Sequence, residues 1–133
     1  MARRARVLVA DGDGWAAQKV EQAIRSWGYE VVGVVRSSRA ALELAQRRPL
    51  DLAILDLPLP GDGLTAVRQF THRLGIAVIL TSEVRGMPAL AEALNVRAPV
   101  LRKPVQLLDL KATLLWALEG EAGAPEPVAA RAS

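Results

Sequence analysis

Cysteine is absent, which excludes a disulfide scaffold and thiolate metal or redox chemistry. A single histidine, His72, excludes a multi-histidine metal site and reads as a surface residue near a helix end. Aromatic residues make up only 4% of the chain, so its 17 Lys and Arg residues are not interleaved with stacking rings. A net charge of +3 then reads as solvated surface rather than a nucleic-acid footprint. No apolar run has the length of a membrane-spanning helix. The basic start, Met1 to Arg6, is followed only by Val7-Leu8-Val9-Ala10 before Asp11, too short for a signal peptide. A cytoplasmic protein with no membrane or direct nucleic-acid partner is expected. The 133 residues, 51% hydrophobic and 23% charged, suit one domain with one core.

Two kinds of segment alternate along the chain. Val7–Ala10 is a short apolar run closed by Asp11. Ala16, Val20, Ala23, Ile24 and Trp27 then recur at helical spacing, with Trp27 in the core and Gly28 as the stop. Val31–Val35 is a second strand, and Ser37 or Ser38 caps a helix that runs to Arg47. Leu52–Leu55 is a third strand that stops at Asp56. Pro58, Pro60, Gly61 and Gly63 mark a loop. A short helix is predicted over 64–73, with Asp62 as its cap, then a strand over 76–80 that stops at Thr81. A helix over 88–95, a strand over 99–101 and a helix over 106–118 complete the pattern, the last with Leu107, Leu110, Leu114 and Leu118 on one face. Strands that are apolar throughout belong to a parallel sheet covered on both faces. The expected fold is a doubly wound α/β domain over residues 1–119, followed by a flexible Ala/Pro-rich tail over 120–133.

Asp11, Asp56, Thr81 and Lys103 each fall at the C-terminal end of a predicted strand. In an open parallel sheet those ends meet at the ligand crevice. Each alone reads as a cap, a turn residue or a surface charge; together they define a site. Two carboxylates in one crevice repel unless a cation joins them, and oxygen ligands without His or Cys favour Mg²⁺. A carboxylate so placed can attack a phosphoryl group, with Lys103 and Thr81 offsetting charge on its oxygens.

The motifs Val7-Leu8-Val9-Ala10-Asp11-Gly12-Asp13, Asp51 to Pro60, Asp62-Gly63-Leu64, Val78-Ile79-Leu80-Thr81-Ser82 and Leu101-Arg102-Lys103-Pro104 resemble those of response regulator receiver domains. The resemblance runs over roughly residues 5–118. It implies a (βα)₅ fold with strand order 2-1-3-4-5. It also implies that Asp56 accepts a phosphoryl group from a phosphohistidine of a sensor histidine kinase or phosphotransfer protein. Asp11, Asp56 and the backbone carbonyl of Pro58 would hold Mg²⁺. Thr81 would move toward the phosphoryl group, Lys103 would pair with it, Ser82 would leave access, and Lys103–Pro104 would be a cis bond. A downstream protein would dock on the fourth helix, fifth strand and fifth helix, where weak homodimerisation is also expected. The likeness is to stand-alone single-domain regulators, with no output domain expected after residue 119.

Three departures from the family pattern stand out. Gly12 replaces the usual second acidic residue, and Asp13, one place later, reads equally as a ligand or a helix cap. Val100 stands where the family often has Tyr or Phe. The loop after Asp56 is one residue short. Gly12 and Val100 leave open a receiver that never takes a phosphoryl group and serves as a protein-docking module. A weaker rival is a dinucleotide fingerprint at Gly12-Asp13-Gly14-Trp15-Ala16-Ala17, in which Arg36 would suit a 2′-phosphate. Trp15 lies off the apolar stripe, lining the crevice or half exposed.

Overall fold

A strand in the middle of a parallel sheet is buried on both faces, so its sequence shows no in–out alternation. The computed structural model, which describes residues 4–57, 63–83 and 98–119, has such strands at β1 (Arg6–Ala10), β3 (Leu52–Leu57) and β4 (Ala77–Ser82). They lie between β2 (Glu30–Val35) and β5 (Val100–Arg102). The sheet order is β2-β1-β3-β4-β5 and every pairing is parallel, which is the expected doubly wound, flavodoxin-like arrangement.

Four described helices cover the two faces: α1 (Gly14–Ser26), α2 (Ser38–Arg47), α3 (Gly63–Arg68) and α4 (Leu107–Glu119). On one face Val7, Val9 and Ile54 pack with Ala17, Val20 and Ile24 of α1 and with Leu110 and Leu114 of α4. On the other, Leu8, Leu55 and Leu80 pack with Ala41 of α2, Val67 of α3 and Phe70. Ser37 caps α2 by accepting from the Ala40 N–H at 3.1 Å. Gly28, at φ +94°, reverses the chain after α1, a conformation that a side chain resists.

Several expectations need correction. β2 is an edge strand, so Val34 is exposed rather than buried. β3 and β4 run past their predicted stops, so Asp56 and Thr81 are penultimate strand residues, paired in register with each other. The apolar code ends before the ladder does, because polar side chains here point into the site while their backbones stay paired. The third helix does not continue uniformly. It passes into a π-helical turn, Gln69–Arg73, in which the Leu74 N–H donates to the Gln69 carbonyl at 3.0 Å. His72 is exposed within that turn. Trp27 is the C-cap of α1 and only partly buried. On the leucine face of α4, Leu110 and Leu114 are buried, while Leu107, at the start of the helix, is 44% exposed. The calls for Pro58, for Asp62 and for the helix over 88–95 lie outside the described residues, as does the tail over 120–133. Among the described residues no helix is long and apolar enough to cross a membrane.

Candidate functional site

The strand order brings the ends of β1, β3, β4 and β5 side by side, and the polar residues there converge. Asp11 follows β1, and its N–H donates to the Val35 carbonyl at 3.0 Å, tying the first two strand ends together. Asp56 and Thr81 face each other across β3 and β4, and the Thr81 hydroxyl donates to Asp56 Oδ1 at 3.2 Å. Lys103 follows β5 and reaches between the acids. Its Nζ lies 3.0 Å from Asp11 Oδ2, 3.2 Å from Asp11 Oδ1 and 3.1 Å from Asp56 Oδ1. Asp11, Asp56 and Thr81 are all buried. Residues 11, 56, 81 and 103 therefore form one cluster.

The other site candidates fall elsewhere. Asp13 is the N-cap of α1, its Oδ1 accepting from the N–H groups of Trp15 at 3.0 Å and Ala16 at 3.4 Å. Of its two readings, the geometry is that of the cap. Ser82 is buried next to Thr81, and its carbonyl accepts from the Lys103 N–H at 2.8 Å. Val100 is buried in the core under the sheet end. The Lys103–Pro104 peptide bond is cis. Trp15 is 68% exposed, with Lys19 Nζ 5.1 Å from its ring centroid, yet it also lines a cleft of about 640 Å³ shared with Asp11, Thr81, Lys103, Arg102 and Leu107. Arg36, read from sequence only as a phosphate ligand, instead donates from Nε and Nη2 to the Gly12 carbonyl at 3.2 and 2.9 Å. Both partners are named in sequence, but only the tertiary fold puts them in reach.

Burial raises the pKa of Asp56 above the ordinary carboxylate value, and the charge of Asp11 adds to this against the opposing pull of Lys103. For Lys103 burial acts downward, but the hydrogen bonds and charges of Asp11 and Asp56 outweigh it and the pKa is raised. A raised carboxyl pKa means that ionising Asp56 weakens the fold as pH rises from the unfolded value of about 3.9 through the folded one. Asp56→Asn is thus expected to stabilise the protein at pH 7 and to raise its Tm. The gain should shrink as pH falls through the folded carboxyl's pKa and the wild-type group takes up its own proton; thermal melts across pH check both points.

Asp11 and Asp56 present oxygen donors already gathered around one cation, the Lys103 ammonium. Among the described residues there is no group of three acidic or histidine ligands. Two carboxylates fit Mg²⁺, which keeps several waters and commonly takes only one or two protein carboxylates.

Paired acids, a hydroxyl and an ammonium thus sit together at the carboxyl edge of an open parallel sheet. Residues 7–115 match the family described as response regulator receiver domain. The chain is 33% identical over 79 residues to the transcriptional regulatory protein PdtaR of Mycobacterium tuberculosis, a match that covers 58% of this chain and 38% of that protein. Its fold is similar to that of a CheY-like receiver domain protein from Methanospirillum hungatei JF-1 (TM-score 0.78, 23% identity, 88% of this chain and 95% of that one). It is also similar to the receiver domain of an HD domain-containing protein from Pseudomonas fluorescens Pf-5 (TM-score 0.77, 27% identity, 90% of each chain). The chain belongs to the response regulator receiver domain family of two-component signalling.

Proposed function

We propose that the protein accepts a phosphoryl group on Asp56 from a phosphohistidine of a sensor histidine kinase or phosphotransfer protein, and thereby switches its binding to a downstream protein in the cytoplasm. The observation that carries this reading is the shared ammonium: one Lys103 Nζ touches both Asp11 and Asp56, while Thr81 donates to the same Asp56 oxygen. An Asp56 carboxylate oxygen forms the new O–P bond as the donor's N–P bond breaks and its electron pair returns to the imidazole nitrogen. Lys103 and Thr81 are placed to hold charge on the transferred oxygens, and Asp11 keeps Lys103 aimed at them. Mg²⁺, held by Asp11 and Asp56 with the Pro58 carbonyl proposed from the family pattern, would neutralise charge on the phosphoryl oxygens. Ser82 would leave access to the group. Leu108 and Leu115 leave α4 with an exposed apolar flank, which supports weak self-association through β5 and this helix.

A second reading, the docking module that never takes a phosphoryl group, draws on the use of Asp13 as a helix cap, which leaves the site one acid short. The dinucleotide reading loses support, because Arg36 is engaged by the Gly12 carbonyl. Incubation with acetyl phosphate and Mg²⁺, followed by intact-mass measurement, is expected to give one added phosphoryl group on the wild type and none on Asp56→Asn. A folded wild type that stays unmodified at saturating donor and Mg²⁺ would instead select the docking module.

A further inference from the structure

The Gly12–Asp13 peptide links two hydrogen bonds that meet at the site. Its carbonyl faces Arg36, which donates to it twice, at 2.9 and 3.2 Å. Its N–H, on Asp13, donates to Asp11 Oδ1 at 2.9 Å. The bond is trans, so the two groups point in opposite directions from one rigid plane. Whatever fixes the carbonyl outward fixes the N–H inward, onto the carboxylate that also holds Lys103. Gly14 completes the arrangement: a Cβ there would stand 3.2 Å from Arg36 Nη1. Gly14, one of the glycines that resemble a dinucleotide fingerprint, thus makes room for an arginine from the end of β2.

We propose that Arg36 is a positioning residue that orients the Asp11 carboxylate through the Gly12–Asp13 peptide. In a loop with glycine at the second acidic position, a guanidinium laid across the backbone supplies the restraint. The chain of contacts runs from Arg36 through the peptide to Asp11, then through Lys103 to Asp56, so a loose loop reaches the reacting oxygen by way of its counter-charge. The consequence for phosphoryl transfer rests on the reading of Asp56 above; the restraint on Asp13 and Asp11 does not.

The test has two arms. Amide hydrogen exchange on metal-free, unphosphorylated protein reads the Asp13 N–H directly. In Arg36→Met it is expected to exchange about ten-fold faster, the loss of one modest hydrogen-bonded restraint. The Leu8 and Ile54 amides should keep wild-type protection. Arg36→Lys, which can still donate to the carbonyl, should fall between. Gly14→Ala should loosen Asp13 by crowding the guanidinium while leaving the melting temperature level or higher, since alanine favours the helix. In the second arm, the Mg²⁺ concentration for half-maximal phosphorylation by acetyl phosphate should rise about ten-fold in Arg36→Met, as for other residues that orient a ligand. The saturated rate should stay within about two-fold, the mark of a residue that positions and does not react. Unchanged Asp13 exchange in Arg36→Met overturns the proposal. So does a loss of protection shared equally by Leu8 and Ile54, or an unmoved Mg²⁺ dependence beside a loosened Asp13. A wild type that takes no phosphoryl group refutes the Asp56 reading and, with it, any role for Arg36 in transfer, while the exchange arm still decides whether Arg36 restrains Asp13.

Discussion

Lys103→Met is expected to lower stability at pH 7 by about 3 kcal/mol and phosphoryl uptake at least about a hundred-fold. Lys103 is the cation held by both Asp11 and Asp56, and all three side chains are largely shielded from water. Removing it leaves two buried carboxylates facing one another, so the cost is that of uncompensated charge, not of a lost surface ion pair. Two controls separate the terms. Lowering the pH should restore part of the lost stability, because Asp56, whose pKa burial and Asp11 already raise, takes up a proton more readily without Lys103. Adding Asp56→Asn to Lys103→Met should recover most of the loss, since only one carboxylate then remains charged. The wild type behaves in the opposite sense at high pH. The raised Lys103 pKa means its stabilisation persists through the ordinary lysine value of about 10.4 and fades only above it. Denaturant titrations at several pH values measure these quantities directly. A variant as stable as the wild type at pH 7 would mean that the two acids do not depend on this ammonium.

Much of this site is legible in the sequence, for a local reason. Central parallel strands announce themselves as unbroken apolar runs, and Val7–Ala10 and Leu52–Leu55 end at acids because the sheet edge is where polar groups regain a purpose. What was not legible depends on distant partners. Val34 is exposed because β2 is an edge strand, a property of strand order rather than of the residues Val31–Val35. Asp56 and Thr81 lie inside their strands because β4 has a neighbour on either side to pair with. The capping of α1 by Asp13 depends on the Trp15 and Ala16 amides, whose direction only the built helix defines. Arg36 is 24 residues from Gly12, and no local pattern connects an arginine at a strand end to a backbone carbonyl. The π-helical turn at Gln69–Arg73 likewise leaves no mark in the apolar spacing, since Phe70 suits an inward position in either helix type.

Phe70 carries the second large effect. It is the only phenylalanine of the chain and is fully buried, set by the π-helical turn into the face of the sheet beneath the site. Around it in the same core cluster are Leu55, Leu57, Ile76, Val78 and Leu80, so the residues that flank Asp56 and Thr81 in β3 and β4 rest in the packing it completes. Phe70→Ala should cost about 3–5 kcal/mol, the transfer of the ring plus the cavity it leaves. Against a total of about 5–15 kcal/mol for a domain of this size, that is a large fraction of the fold's stability. Phe70→Leu keeps most of the volume and should cost about 1 kcal/mol. The two substitutions also separate core from chemistry. Where Phe70→Leu remains folded, phosphoryl uptake per folded molecule should match the wild type, because no atom of Phe70 is among the groups at the acidic pair. Lys103→Met should lose uptake even at temperatures where it is fully folded. If Phe70→Ala melted within a degree or two of the wild type, the ring would not be the packing element that supports the ends of β3 and β4.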